Sequence, residues 1–147
     1  MKKAFLSCLI LAASTCMAAQ SLLSLNGNWR FYLAKNMQCA DSLISNQFFD
    51  ATFDDQSFVT TPVPSCWAVQ GFEEPVYRGY KKQGEEASEG FYRYLFHIPS
   101  SMAGQRVVLH FGGVWASAEV WLNGQWIGRH DSGYTSFSFD VRSEERR

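Results

Sequence analysis

Cysteine is scarce in this chain. Of its four cysteines, Cys8 and Cys16 fall within the first nineteen residues, which leaves Cys39 and Cys66 for the remainder. Two cysteines do not make a disulfide framework, and no C-x-x-C spacing offers a structural metal site. In an oxidising compartment the two could pair; two separate, buried thiols are an equal alternative. Charge of either sign is also in short supply, with 13 basic against 14 acidic residues and no basic stripe, so nucleic acid is not an expected partner. No apolar run is long enough for a permanent membrane span. No 3.6-residue periodicity, heptad or internal repeat is visible, which argues against a bundle, a coiled coil or a solenoid.

The amino end stands apart from the rest. Lys2 and Lys3 precede an almost unbroken apolar run from Ala4 to Ala13, and Met17-Ala18-Ala19 offers small residues for cleavage. Residues 1–19 therefore read as a signal peptide, with residues 20–147 as one β-sandwich domain and an exported, periplasmic or extracellular location. Cys16 raises a lipoprotein alternative, but Ala13-Ser14-Thr15 lacks the large aliphatic residue that usually opens a lipidation box. Loss of Lys2 and Lys3 with the leader takes the net charge from −1 to −3.

Aromatic residues are abundant, at 16%. They alternate with polar residues between turn signals, the pattern of half-buried strands. The firmest local prediction concerns residues 118–128, Ala-Glu-Val-Trp-Leu-Asn-Gly-Gln-Trp-Ile-Gly, where Asn123-Gly124 suits a two-residue hairpin turn. An uninterrupted hairpin pairs Leu122 with Gln125, Trp121 with Trp126, Val120 with Ile127 and Glu119 with Gly128. Val120, Leu122 and Ile127 then share one apolar face, and Trp121 and Trp126 stack on the other.

Further strands are expected at residues 29–33 after a turn at Asn26-Gly27, at 91–98 ended by Pro99, at 106–111 and at 137–141. Phe53 to Phe58 reads as a turn whose Asp side chains hold backbone amides while the two phenylalanines tuck inward. Between Asn36 and Phe58 the pattern is otherwise weak. Pro62 to Gly90 shows no sustained period and is read as a long connection, aromatic in its first part and charged in its second. Five or six strands can be counted, against about seven or eight in an ordinary sandwich. The charged ending after Val141 looks like a cut inside a larger protein.

Four motifs occur in order: Leu25-Asn26-Gly27-Asn28-Trp29-Arg30-Phe31; Val63-Pro64-Ser65-Cys66-Trp67 running to Gln70-Gly71-Phe72; Gly90-Phe91-Tyr92-Arg93; and Phe111-Gly112-Gly113-Val114 through Trp121-Leu122-Asn123-Gly124 to Gly133-Tyr134-Thr135. Together they resemble the amino-terminal sugar-binding domain of family 2 glycoside hydrolases, and the Pro-Ser-x-Trp segment followed by Gln-Gly-Phe is most similar to the β-galactosidase branch. The resemblance implies an all-β jelly-roll sandwich of the galactose-binding type, here cut before its last strands. It also implies a following immunoglobulin-like domain and a (β/α)8 barrel that holds the catalytic glutamates. No catalytic residue, cofactor or metal is then expected in this chain, and the partner is a β-galactoside-like carbohydrate.

Retaining hydrolysis needs two carboxyl groups roughly 5 Å apart. The adjacent pairs Asp54-Asp55, Glu73-Glu74 and Glu85-Glu86 diverge in extended chain and read as solvated turns. In the β-galactosidase branch the loop after a Pro-Ile/Val-Tyr segment helps to shape the galactose pocket, and Pro75-Val76-Tyr77 matches that segment. The asparagine that often follows is Gly79 in this chain. Tyr77 and Trp67 are the candidate substrate-binding residues; a tryptophan beside prolines more often plugs its loop onto the core. His130-Asp131 reads as a surface loop rather than a metal site, and His97 and His110 as ordinary strand histidines. Three functions follow: the leading domain of an exported β-galactosidase-type hydrolase, with a β-glucuronidase or β-mannosidase parent as its variant; a free carbohydrate-binding module; or a purely structural sandwich. The first is preferred.

Overall fold

The structure, a computed structural model, describes residues 21–74, 88–102 and 104–141. Residues 1–19, expected as a signal peptide, and the Pro75-Val76-Tyr77 segment lie outside the described residues. Seven strands and one short helix are present among those described: β1 (Gly27–Ala34), α1 (Met37–Ser45), β2 (Val59–Val63), β3 (Glu89–Arg93), β4 (Val108–Phe111), β5 (Ala118–Leu122), β6 (Gln125–His130) and β7 (Phe137–Asp140). The fold is all-β and sandwich-like. Its antiparallel sheets have the orders β2-β1-β3, β4-β7 and β5-β6.

Two elements differ from the expectation of a weakly patterned 36–58 stretch and a long connection from Pro62. The first is α1. Asn36 caps it, accepting from the Cys39 amide at 2.8 Å, which satisfies one of the orphan N–H groups of the first turn. It ends with Gln47 in the left-handed region (φ 54°), where the Gln47 amide donates to Ile44 O and the Phe48 amide to Leu43 O. This is the Schellman pattern, and it turns Phe48 back toward the core. The second is β2, which carries Pro62. A proline removes a ladder donor, and β2 tolerates it because it is the edge of its sheet. Asn26-Gly27, expected as a turn, instead leads straight into β1, with Gly27 paired with Val63. The strand expected over 91–98 is regular only to Arg93.

Because side chains alternate, β1 splits its residues between two covered faces. One face carries Tyr32 and Ala34, and here the main core forms from Ala34, Ala40, Phe48, Phe58 and Phe91, with Trp121 packed against it. The expected Phe53–Phe58 turn is present: Gln56 N donates to Asp54 Oδ1 at 3.0 Å, and Phe58 is 2% exposed. Arg30 and Arg93 stand directly opposite one another on this face. Two like charges so placed repel, and Asp55 offsets the repulsion by pairing with Arg30 at 3.4 Å and with Arg93 at 3.2 Å. Asp55 is therefore an ion-pair hub rather than a solvated turn residue. Arg93 also donates to the carbonyls of Phe48 and Asp50 and lies over the Phe53 ring, tying β3 to the loop after α1.

The hairpin turns at Asn123 (φ 50°) and Gly124 (φ 82°), as the Asn-Gly pair requires. Leu122 faces Gln125 and Trp121 faces Trp126, but Val120 faces Gly128 because a β-bulge inserts Ile127. The bulge corrects the expected face assignment: Gly128, not Ile127, joins Val120 and Leu122. Phe139 of β7 lies directly on Gly128. Trp121 stacks on Phe49, with ring centroids 5.3 Å apart and planes 4° apart, rather than across to Trp126, which is 59% exposed. Cys39 is half-buried and Cys66 exposed, and both are free thiols; the expectation of two buried thiols fails for Cys66.

Candidate functional site

On the second face of β1, Trp29 stacks on Tyr94 and Phe31 meets the loop that follows β2. The sequence of that loop explains its shape. After the cis Val63–Pro64 bond the chain makes a helical turn, with Gln70 N donating to Cys66 O at 3.1 Å. Gly71 stops it with φ 82°, the Gly71 amide donating to Ala68 O and the Phe72 amide to Trp67 O, each at 3.0 Å. This is again the Schellman arrangement, here with the glycine that the left-handed position favours. The two positions flanking the stop, Trp67 and Phe72, are the pair that such a motif makes apolar. Both land on Phe31, at centroid distances of 6.2 Å and 4.9 Å.

Trp67 also lies against the backbone of β3. A Cβ added to Gly90 would stand 2.6 Å from the Trp67 ring and 3.0 Å from Phe31, so the glycine is required for the indole to seat. The indole N–H donates to Glu73 Oε2 at 2.9 Å, and the other oxygen of that carboxylate accepts from the Ser88 hydroxyl at 2.6 Å. Next to this assembly is an open cleft of about 340 Å³, lined by residues that include Phe31, Lys35, Ser57, Val59 and Phe72. Tyr92, adjacent on β3, has its phenol pushed above its usual range by burial, with a smaller contribution from Cys66.

Trp67 is thus a loop-to-core plug in its contacts. Tyr77 lies outside the described residues. Glu73 and Ser88 escape detection in the sequence because an acidic pair and a serine beside a charged run look like solvated loop. Carboxylates elsewhere are similarly engaged: Asp50 with Thr52, Asp140 with Arg106, and Glu119 and Asp131 with Arg129. His130 stacks on Phe137 and contacts Thr135 Oγ1, His110 contacts Ser138 Oγ, and His97 is exposed. Among the described residues no three His, Cys, Asp or Glu side chains gather as a metal site.

Comparison with known proteins gives a consistent result. The family described as glycosyl hydrolases family 2, sugar binding domain, matches residues 22–144. A beta-galactosidase of Vibrio cholerae serotype O1 is 30% identical over 126 residues, which is 80% of this chain and 12% of that protein. One of Priestia megaterium is 32% identical over 133 residues, 82% of this chain and 12% of that protein. Among solved structures, a beta-glucuronidase of Faecalibacterium prausnitzii is 34% identical, with a TM-score of 0.58 over 81% of this chain and 18% of that one. The chain spans about an eighth of the length of these curated relatives. With a family match over most of its length and an all-β sandwich to carry it, the chain belongs to the sugar binding domain family of the family 2 glycosyl hydrolases.

Proposed function

We propose that this chain is the leading, non-catalytic domain of an exported β-galactosidase-type hydrolase that acts on terminal β-glycosides. In this reading the domain braces the catalytic barrel and lends it the stretch between β2 and β3. The observation that carries it is the roughly 30% identity to curated beta-galactosidases across some four-fifths of the chain, confined to an eighth of their length. Residues 1–19 supply the export signal, residues 20–147 the sandwich, and Trp67 and Tyr77 the candidate contacts to sugar.

A second reading has its own support in the 34% identity to a solved beta-glucuronidase. The two differ in the charge of the glycone, since a glucuronide carries a carboxylate and a galactoside does not. The protein encoded by the complete reading frame, purified and offered aryl β-galactosides and aryl β-glucuronides side by side, separates them through their kcat/KM ratio. Preference for the galactoside supports the first reading and preference for the glucuronide the second. A reading frame that stops at Arg147 overturns both and leaves a free carbohydrate-binding module, which saturable binding of galactosides by the chain would then test.

A further inference from the structure

Glu73 occupies an unusual place for a loop carboxylate. Its two oxygens face two different segments, one accepting from the indole N–H of Trp67 at 2.9 Å and the other from the hydroxyl of Ser88 at 2.6 Å. Glu73 and Ser88 are the two ends of the connection that contains Tyr77, and Trp67 is the ring on which the connection's base rests. The carboxylate is half-buried, and so are both of its partners. Hydrogen bonds to an ionised acceptor are shorter and stronger than neutral ones, and the 2.6 Å contact fits that class.

We propose that Glu73 is a positioning residue. By holding Trp67 Nε1 and Ser88 Oγ on one carboxylate it fixes the in-plane orientation of the indole, so that residues 64–73 after β2 and the start of β3 are held in one geometry. Packing alone leaves the indole a degree of freedom. Phe31 lies nearly parallel to it, at 22°, and Gly90 lies close against its six-membered ring, contacts that set no direction within the ring plane and leave sliding there to be resisted by another group. A directed hydrogen bond at Nε1 removes that sliding. Ser88 precedes β3 by one residue, so the same carboxylate refers both segments to the central sheet. The functional part of this inference rests on the reading that this stretch contributes to a glycoside site.

The test compares Glu73→Gln with Glu73→Ala in the complete protein, with Trp67→Phe to isolate the Trp67 signal. A glutamine can still accept from the indole with its carbonyl and donate to the Ser88 hydroxyl with its amide. It is therefore expected to keep both the near-UV circular dichroism of Trp67, taken as wild type minus Trp67→Phe, and KM for an aryl β-galactoside. The alanine variant is expected to lose the Trp67 signal and to raise KM on the order of tenfold, the scale of one lost charge-assisted hydrogen bond, with kcat changed far less. If Glu73→Ala keeps the wild-type Trp67 signal, or if Glu73→Gln falls as far as the alanine variant in it, the proposal is overturned. Loss of the Trp67 signal with KM and kcat both unchanged overturns the functional part and leaves a packing role. Absence of activity in the wild type overturns the reading on which that part rests, and the dichroism arm still decides the orientation of the indole.

Discussion

Gly128→Ala is the substitution for which the structure allows the most direct calculation. An ideal Cβ at this position lies 2.2 Å from Phe139 Cε1 and 2.8 Å from both Cδ1 and Cζ. Carbon atoms in contact prefer about 3.5–4.0 Å, so the ring has to withdraw by roughly 1.3 Å or more. Phe139 cannot do so freely, because it is held on β7 opposite Leu109 and its neighbour Phe137 stacks on both Phe111 and His130. Overpacking of this kind costs about 1–3 kcal/mol, and the upper half of that range is expected because the obstacle is an aromatic ring edge on a paired strand. Urea unfolding followed by tryptophan fluorescence measures the loss. Phe139→Leu removes the obstacle at its own cost of lost packing, so Gly128→Ala/Phe139→Leu should be less destabilised than the two single losses added together, with a coupling of about 1 kcal/mol or more. A Gly128→Ala variant within about 0.5 kcal/mol of wild type, or a double variant whose losses simply add, refutes the reasoning that the bulge places Gly128 under Phe139.

Three further outcomes follow from single sites. Asp55→Asn leaves Arg30 and Arg93 facing each other without a counter-charge; a loss of about 2 kcal/mol is expected, between the near-zero value of exposed pairs and that of buried ones, and it should shrink as salt is raised in the unfolding buffer. Gln47→Gly relieves a non-glycine residue at φ 54° and should stabilise the chain by about 0.5–1 kcal/mol, read as a higher urea midpoint. The carboxyl of Asp50 is held below its usual range first by the Thr52 hydroxyl, then by the Thr52 amide. A depressed folded value means that its contribution is present above the unfolded pKa and fades as pH falls through the folded one. A carboxyl-carbon NMR titration should place Asp50 below an ordinary aspartate and show Thr52→Ala moving it upward.

Local chemistry made a large part of the fold legible in the sequence. The Asn123-Gly124 turn, the alternation in β1 and β7, and the Phe53–Phe58 turn each depend on residues within a few positions of one another, and each is present in the structure. The Gln70-Gly71-Phe72 run is legible in the same way once its stop is understood, since a glycine marks the left-handed position. Helix α1 was hidden for the converse reason. Its stop uses Gln47, a residue with no preference for positive φ, and its buried positions are too few to print a period on nine residues.

The candidate site divides along the same line. Trp67 stands out by its aromatic ring and its neighbouring prolines, which are properties of the chain as written. Glu73 and Ser88 became visible only when folding brought residues fifteen apart onto one carboxylate. The bulge at Ile127 is of the same kind: the sequence by itself determined where the ribbon turns, because backbone torsions answer to adjacent residues. Which residue joins the Val120–Leu122 face four residues later was decided by the tertiary structure, where Phe139 of β7 lies on a position without a Cβ. Asp55 likewise acquired its role from two arginines that only the pairing of β1 with β3 sets opposite each other. Short-range torsional preference is written in the order of residues, whereas steric fit and charge balance depend on neighbours that the order alone does not name.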